Sequence, residues 1–195
     1  MKIAGKCILI LTIIYFLAEK SNSQDFTSKS AEILSWTVLQ VVPSPVFIQD
    51  ANENNARVQF ALRWQVTPLS ISFRSNKYVS PFQFFKINPV HRFTGSMEFF
   101  VQPEWTTSSF KYSNFARFGL GAGSRILIPL KGDGETSVFS LGAKYNYRKD
   151  FISGNNGFWG IEAGIYAVYG VLGLQFNYNF DKRSRFNAGI FFKYF

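Results

Sequence analysis

Residues 56–67 read ARVQFALRWQVT. Val58, Phe60, Leu62, Trp64 and Val66 share one parity; Arg57, Gln59, Arg63 and Gln65 share the other. A two-residue period puts successive side chains on opposite faces of a strand, so the stretch predicts a strand with one apolar and one polar face. At Pro68 the phase flips, and Leu69, Ile71 and Phe73 alternate with Ser70, Ser72 and Arg74. Proline donates no ladder hydrogen bond, so the flip predicts a bulge or break there.

The same alternation recurs along the chain. It is legible in 93–105, 115–128, 136–148, 158–169, 171–181 and 185–195, with a weaker first strand at about 33–48 broken by Pro43-Ser44-Pro45. Turn-forming stretches separate the strands: DANENN at 50–55, KGDGE at 131–135, SGNNG at 153–157, Gly170, and DKRS at 181–184. With 56–74 taken as one bulged strand, the count is eight. Residues 75–92 fit either a long connection or another hairpin, which makes ten. No helical period follows the N-terminal segment. The predicted fold is all-β, an antiparallel up-and-down barrel.

The first residues carry a different pattern. Lys2 and Lys6 precede the apolar run Ile8–Leu17, and Ser21-Asn22-Ser23 supplies small residues for cleavage. That is the form of a secretory signal, and its apolar run is too short to span a bilayer. Two regions follow: a signal peptide at 1–23 and a barrel domain at 24–195. Removing Lys2, Lys6, Lys20 and Glu19 from 21 basic and 12 acidic residues leaves 18 and 11, net +7. The single cysteine, Cys7, leaves with the signal. An exported chain without cysteine relies on neither disulfides nor a thiolate metal site. Export also turns the basic balance away from nucleic acid and toward anionic lipid headgroups or polysaccharide.

The decisive question is which face lies inside. A soluble lipocalin-like barrel keeps the apolar face as its core, whereas a membrane barrel turns it to lipid. Three features favour the membrane. The polar faces combine charge with small residues such as Gly119, Gly121, Gly123, Gly142, Gly160 and Gly164, as a narrow eight-stranded interior requires. Arg57, Arg63, Arg117, Arg125, Lys144 and Arg148 are placed to pair there with Glu98, Glu104, Glu162 and Asp181. With strand 1 starting in the periplasm, Trp105, Tyr145, Tyr147, Trp159 and Tyr178 fall toward the outer rim. Trp36, Tyr169 and Tyr194 fall toward the periplasmic rim, giving two aromatic girdles.

The third feature is the final stretch, FNAGIFFKYF at 186–195. It resembles the C-terminal signal of Gram-negative outer-membrane barrels, which end on an aromatic residue. That resemblance implies that Phe192, Tyr194 and Phe195 form both a closing strand and a signal to the barrel assembly machinery. Lys193 shares the parity of Phe195, a departure from the family's usual register.

Chemistry is weakly signalled. There is no CxxC, no GxSxG and no metal-ligand cluster, and GLGAG at 119–123 lies within a strand. The one constellation to weigh is HRFTGSMEFFVQPE at 91–104, with His91, Ser96 and Glu98 as candidate base, nucleophile and orienting carboxylate. It does not match the His-x-Ser arrangement of the outer-membrane lipid A deacylases, because Phe93 stands two residues after His91. An internal polar network accounts for it better. Lys182, Arg183 and Arg185 cluster at an outer turn, where they could meet lipopolysaccharide phosphates. The sequence therefore reads as an outer-membrane barrel with a structural or binding role, no cofactor, and outer-membrane lipids and lipopolysaccharide as its surroundings. The alternatives are a small pore, a lipid A-modifying enzyme and a secreted lipocalin-like barrel.

Overall fold

The bulge at Pro68 organises the sheet. In the computed structural model, strand β2 (Ala56–Arg63) and strand β3 (Val66–Ser72) pair in succession along strand β5 (Ser96–Thr106). They are two halves of one bent strand, parted at Trp64-Gln65, with a register shift between Val66 and Leu69. Gln59, Ala61, Arg63 and Thr67 are buried before the shift, and Ser70 and Ser72 after it, so the phase flips at Pro68 as the alternation predicts.

The other strands are β1 (Ser44–Ala51), β4 (Phe82–Phe84), β6 (Phe115–Pro129), β7 (Ser137–Asp150), β8 (Gly157–Ala167), β9 (Leu172–Asn179) and β10 (Phe186–Phe192). The structure describes residues 41–74, 81–84, 95–130, 137–152, 154, 156–167 and 172–192. Every pairing is antiparallel. The order β1–β2–β5–β6–β7–β8–β9–β10 returns to β1, which closes an eight-stranded barrel. Closure leaves no open sheet edge between the first strand and the last. Strand β4 adds to β3 through Leu69↔Phe84 and Ile71↔Phe82, and takes up part of the ambiguous 75–92 stretch.

The first strand differs from the expected 33–48. It starts at Ser44 and continues to Ala51, and residues 33–40 lie outside the described ones. The turn shrinks to Asn52–Asn55, where the Asn52 side chain accepts from the Asn54 and Asn55 amides at 3.1 and 2.8 Å. An Asx turn so anchored lets Ala51 and Ala56 pair at once.

The barrel turns its apolar face outward. On β9, Leu174 is 54% exposed and Phe176 58%, while Gln175 and Asn177 between them are 1% and 2% exposed. Strands β6, β7 and β8 follow the same rule: Ile126, Leu141, Ile161 and Ile165 face out, and Arg125, Lys144 and Glu162 face in. The turns 52–55, 107–114, 151–156 and 180–185 share one end, here the upper mouth. Inside, Phe110, Phe115, Val46, Ile48 and Ala61 form one apolar cluster, with Phe158 packed against it. Leu127, Val138, Tyr166 and Phe191 form another at the lower end.

Glycine on the inner face has a packing reason. A Cβ on Gly123 would press into the Ala143 carbonyl and come within 2.7 Å of the Lys144 Cα. Gly121 has its nearest neighbour at 3.3 Å, a side-chain oxygen. Gly123→Ala should therefore cost about 1–3 kcal/mol by forcing β6 from β7, and Gly121→Ala less than about 1 kcal/mol. Urea titration of the two variants tests the difference; equal midpoints would contradict it.

Candidate functional site

Alternate residues of six strands meet in the lumen. Glu98, Gln102 and Glu104 project from β5, Arg63 from β2, Arg125 from β6, Lys144 and Arg148 from β7, Glu162 and Tyr166 from β8, and Gln175 from β9. Glu104 accepts from Arg63 at 2.6 Å and also pairs with Arg148. Arg63 Nη1 reaches the Gln175 Oε1 at 3.2 Å. Arg125 joins Glu98 at 2.9 Å and Glu162 at 3.1 Å, donates to the Tyr166 hydroxyl at 3.1 Å, and lies over the Phe100 ring. Lys144 donates to Gln102 Oε1 at 3.1 Å and stands 3.7 Å from Glu162. Gln102 Nε2 then donates to Glu162 at 3.1 Å and to Gln65 at 3.0 Å.

Each buried ion here carries a desolvation cost of several kcal/mol, offset only by pairing and by further hydrogen bonds. The network meets that demand by sharing: Glu104 serves two guanidinium groups, and Arg125 serves two carboxylates. Among Arg63, Glu104, Lys144 and Arg148 a space of ≈ 10 Å³ remains. That is about one water, far below what a small-molecule ligand needs. The carboxylates Glu98, Glu104 and Glu162 are held by cations, so none is poised as a general base.

The upper mouth is closed by one residue the sequence reading passed over. Asp50 accepts from the backbone N–H of Lys111 at 2.8 Å and of Ser113 at 2.9 Å, and from the Ser113 hydroxyl at 2.9 Å. Arg57 and Gln59 bind the same carboxylate at 2.8 and 2.9 Å. This pulls the loop 107–114 across the opening. Phe110 packs on Phe115 at 5.7 Å, and Arg148 sits 4.8 Å from the Phe110 ring centre. The alternation alone assigns Asp50 to the turn-forming stretch 50–55. Its parity with Ser44, Val46 and Ile48 marks it as inward once β1 runs to Ala51.

The structure brings Arg63, Glu98, Glu104, Arg125, Lys144, Arg148 and Glu162 into one network and sets Arg57 above it, on Asp50. Two residues expected there lie elsewhere. Asp181 stands in the β9–β10 turn, bound to Arg183 at 2.7 Å, and Arg183 also pairs with Asp150. Burial pushes the Asp181 carboxyl up, but the Arg183 hydrogen bonds outweigh it and hold the group below its usual range. Arg117 leaves the lumen because β6 carries two extra residues against β7: pairing jumps from Phe115↔Asp150 to Gly119↔Arg148. Its guanidinium lies 4.8 Å over outward-facing Trp105.

Of the weighed catalytic set, Glu98 is committed to Arg125 and the buried Ser96 hydroxyl has no partner among the described residues. His91 lies outside the described residues. So do Trp36, Tyr169, Tyr194 and Phe195; Phe192 closes β10. Trp105, Tyr145, Tyr147, Trp159 and Tyr178 stand exposed around the upper half of the wall. Tyr145 meets Trp159 edge-on at 5.3 Å, and Tyr178 meets Phe186 at 5.4 Å. No group of three metal-ligating side chains occurs among the described residues. No family model, no curated protein and no solved structure matches the chain.

Two variants separate the network from the mouth. Glu104→Gln strands Arg63 and Arg148 and should cost about 3–5 kcal/mol in global stability. Asp50→Ala should leave the network intact while amide exchange at Lys111–Ser113 accelerates. Unchanged exchange at those amides would refute the latch.

Proposed function

We propose that the protein spans the outer membrane of a Gram-negative cell as an eight-stranded barrel, with a structural or binding role in the envelope. The observation that carries this reading is the inversion of its faces: a continuous apolar wall outside, and paired ions within. Contiguous exposed apolar surface far beyond a few hundred Å² marks contact with another apolar phase. Strands β5 and β8, of 11 residues each, and the longer β6 and β7 meet the length a tilted strand needs to cross the hydrocarbon layer. Aromatic side chains gather at the upper edge of that wall, where amphipathic rings favour a membrane interface.

The signal-like pattern at 1–23 and the alternating aromatic stretch at 186–195 support the outer membrane as the destination and the barrel assembly machinery as the partner in biogenesis. Outer-membrane lipids and lipopolysaccharide are then its surroundings. The space left among Arg63, Glu104, Lys144 and Arg148 is about that of one water, which at that level of the lumen supports neither conduction nor a lipocalin-type ligand. Envelope fractions run unboiled and boiled on a gel test the proposal. A band in the outer-membrane fraction that shifts on boiling is expected, with no steady conductance in planar bilayers. A soluble periplasmic species without a shift would overturn the membrane reading; open-channel conductance would overturn the closed lumen.

A further inference from the structure

The lumen holds more positive charge than negative. Among the described residues, Arg63, Arg125, Lys144 and Arg148 share its middle with Glu98, Glu104 and Glu162, one carboxylate short of neutrality. The other buried carboxylates, Asp50 and Asp150, pair with Arg57 and Arg183 at the mouth. The excess gathers around one cavity. The space of ≈ 10 Å³ is lined by Arg63, Lys144 and Arg148, and among the described residues Glu104 is the only carboxylate on its wall. Both Glu104 oxygens are engaged, Oε2 by Arg63 and Oε1 by Arg148. Lys144 is the cation left short. Its ammonium carries three protons, donates to the neutral Gln102 at 3.1 Å, and stands 3.7 Å from Glu162, outside hydrogen-bond distance. Arg63 uses three of its five N–H groups, two on Glu104 and one on Gln175. Gln175 accepts that bond while its own buried Nε2 finds no acceptor among the described residues. Around Arg63 and Lys144, then, there are buried donors without acceptors and a cation without a counter-ion.

We propose that this cavity binds one monatomic halide, chloride in ordinary solution, as the counter-ion the lumen lacks. An uncompensated charge removed from water is costly, and interior charges are screened far less than exposed ones. A water fits the space but brings no charge. Polyatomic anions such as sulfate and phosphate exceed it. A halide accepts from several donors at once and is little larger than a water. It would tie Arg63 on β2 to Lys144 and Arg148 on β7. Gly119 keeps room for this arrangement, since an added Cβ there would come within 2.7 Å of Arg148 Nη2. The site lies in the interior and does not depend on what surrounds the wall.

The test is equilibrium dialysis of the purified protein in detergent against radioactive chloride, with gluconate holding the ionic strength. About one chloride per barrel is expected by this reading, both for the wild type and for Lys182→Gln, which removes a cation from the outer turn. Lys144→Gln should weaken binding by about tenfold or more. The thermal midpoint of the wild type should rise by about 3–5 °C for each tenfold of chloride above its dissociation constant, and stay flat in sulfate at matched ionic strength. Crystals grown with bromide should show an anomalous peak among Arg63, Lys144 and Arg148. Should Lys144→Gln fail to fold, the wild-type dialysis and the bromide position decide alone. No bound chloride with a flat midpoint would mean that Lys144 sheds its proton or that water fills the space, and would overturn the site. A halide found elsewhere, or binding that survives Lys144→Gln unchanged, would overturn it too.

Discussion

Four buried cations and three buried carboxylates share the interior: Arg63, Arg125, Lys144 and Arg148 with Glu98, Glu104 and Glu162. Any of them left alone would destabilise the fold by several kcal/mol, so the barrel's register has to be right at every strand. A slip by one residue would reverse the faces of a strand, sending its charges outward and its leucines inward. The pairing of ions across β2, β5, β6, β7 and β8 is thus a device that fixes register as much as one that stabilises. The apolar clusters at the two ends then separate it from the openings, and Asp50 ties the loop 107–114 over the upper one.

The alternation made most of this legible. In a strand, parity alone assigns a face, so the inward set could be read from Arg63 to Glu162 without knowing the neighbours. Parity also gave the flip at Pro68, because proline signals its own irregularity. It failed where the period breaks without such a signal. The two extra residues before Gly119 carry no proline, and so parity assigns Arg117 to the inside although it lies on Trp105. Asp181 follows the β9 parity, but the strand ends at Asn179 and the turn claims it for Arg183. Asp50 was missed because a polar run at 50–55 looks like a loop from its first residue. Strand β4, three residues long, is too short for a period to register.

These misses share a cause. Arg117, Asp181 and Asp50 each lie at a strand end or bulge, where local turn chemistry and tertiary hydrogen bonds override the two-residue period. These three also fall at the upper edge, where the proposed function would meet its surroundings. The regular part of the sequence specifies a closed wall, while the irregular part places the groups that latch its mouth and present charge outside it.

The central claim is that apolar residues face lipid while polar residues fill a closed interior. It is tested most directly by spin labels on single cysteines at successive positions from Leu172 to Tyr178, with Cys7 the sole native cysteine to remove. In reconstituted bilayers, labels at Leu172, Leu174, Phe176 and Tyr178 should be open to oxygen and shielded from a water-soluble relaxant. Labels at Gly173, Gln175 and Asn177 should be shielded from both. Water access at Leu174 and Phe176, or oxygen access that does not alternate, would contradict it.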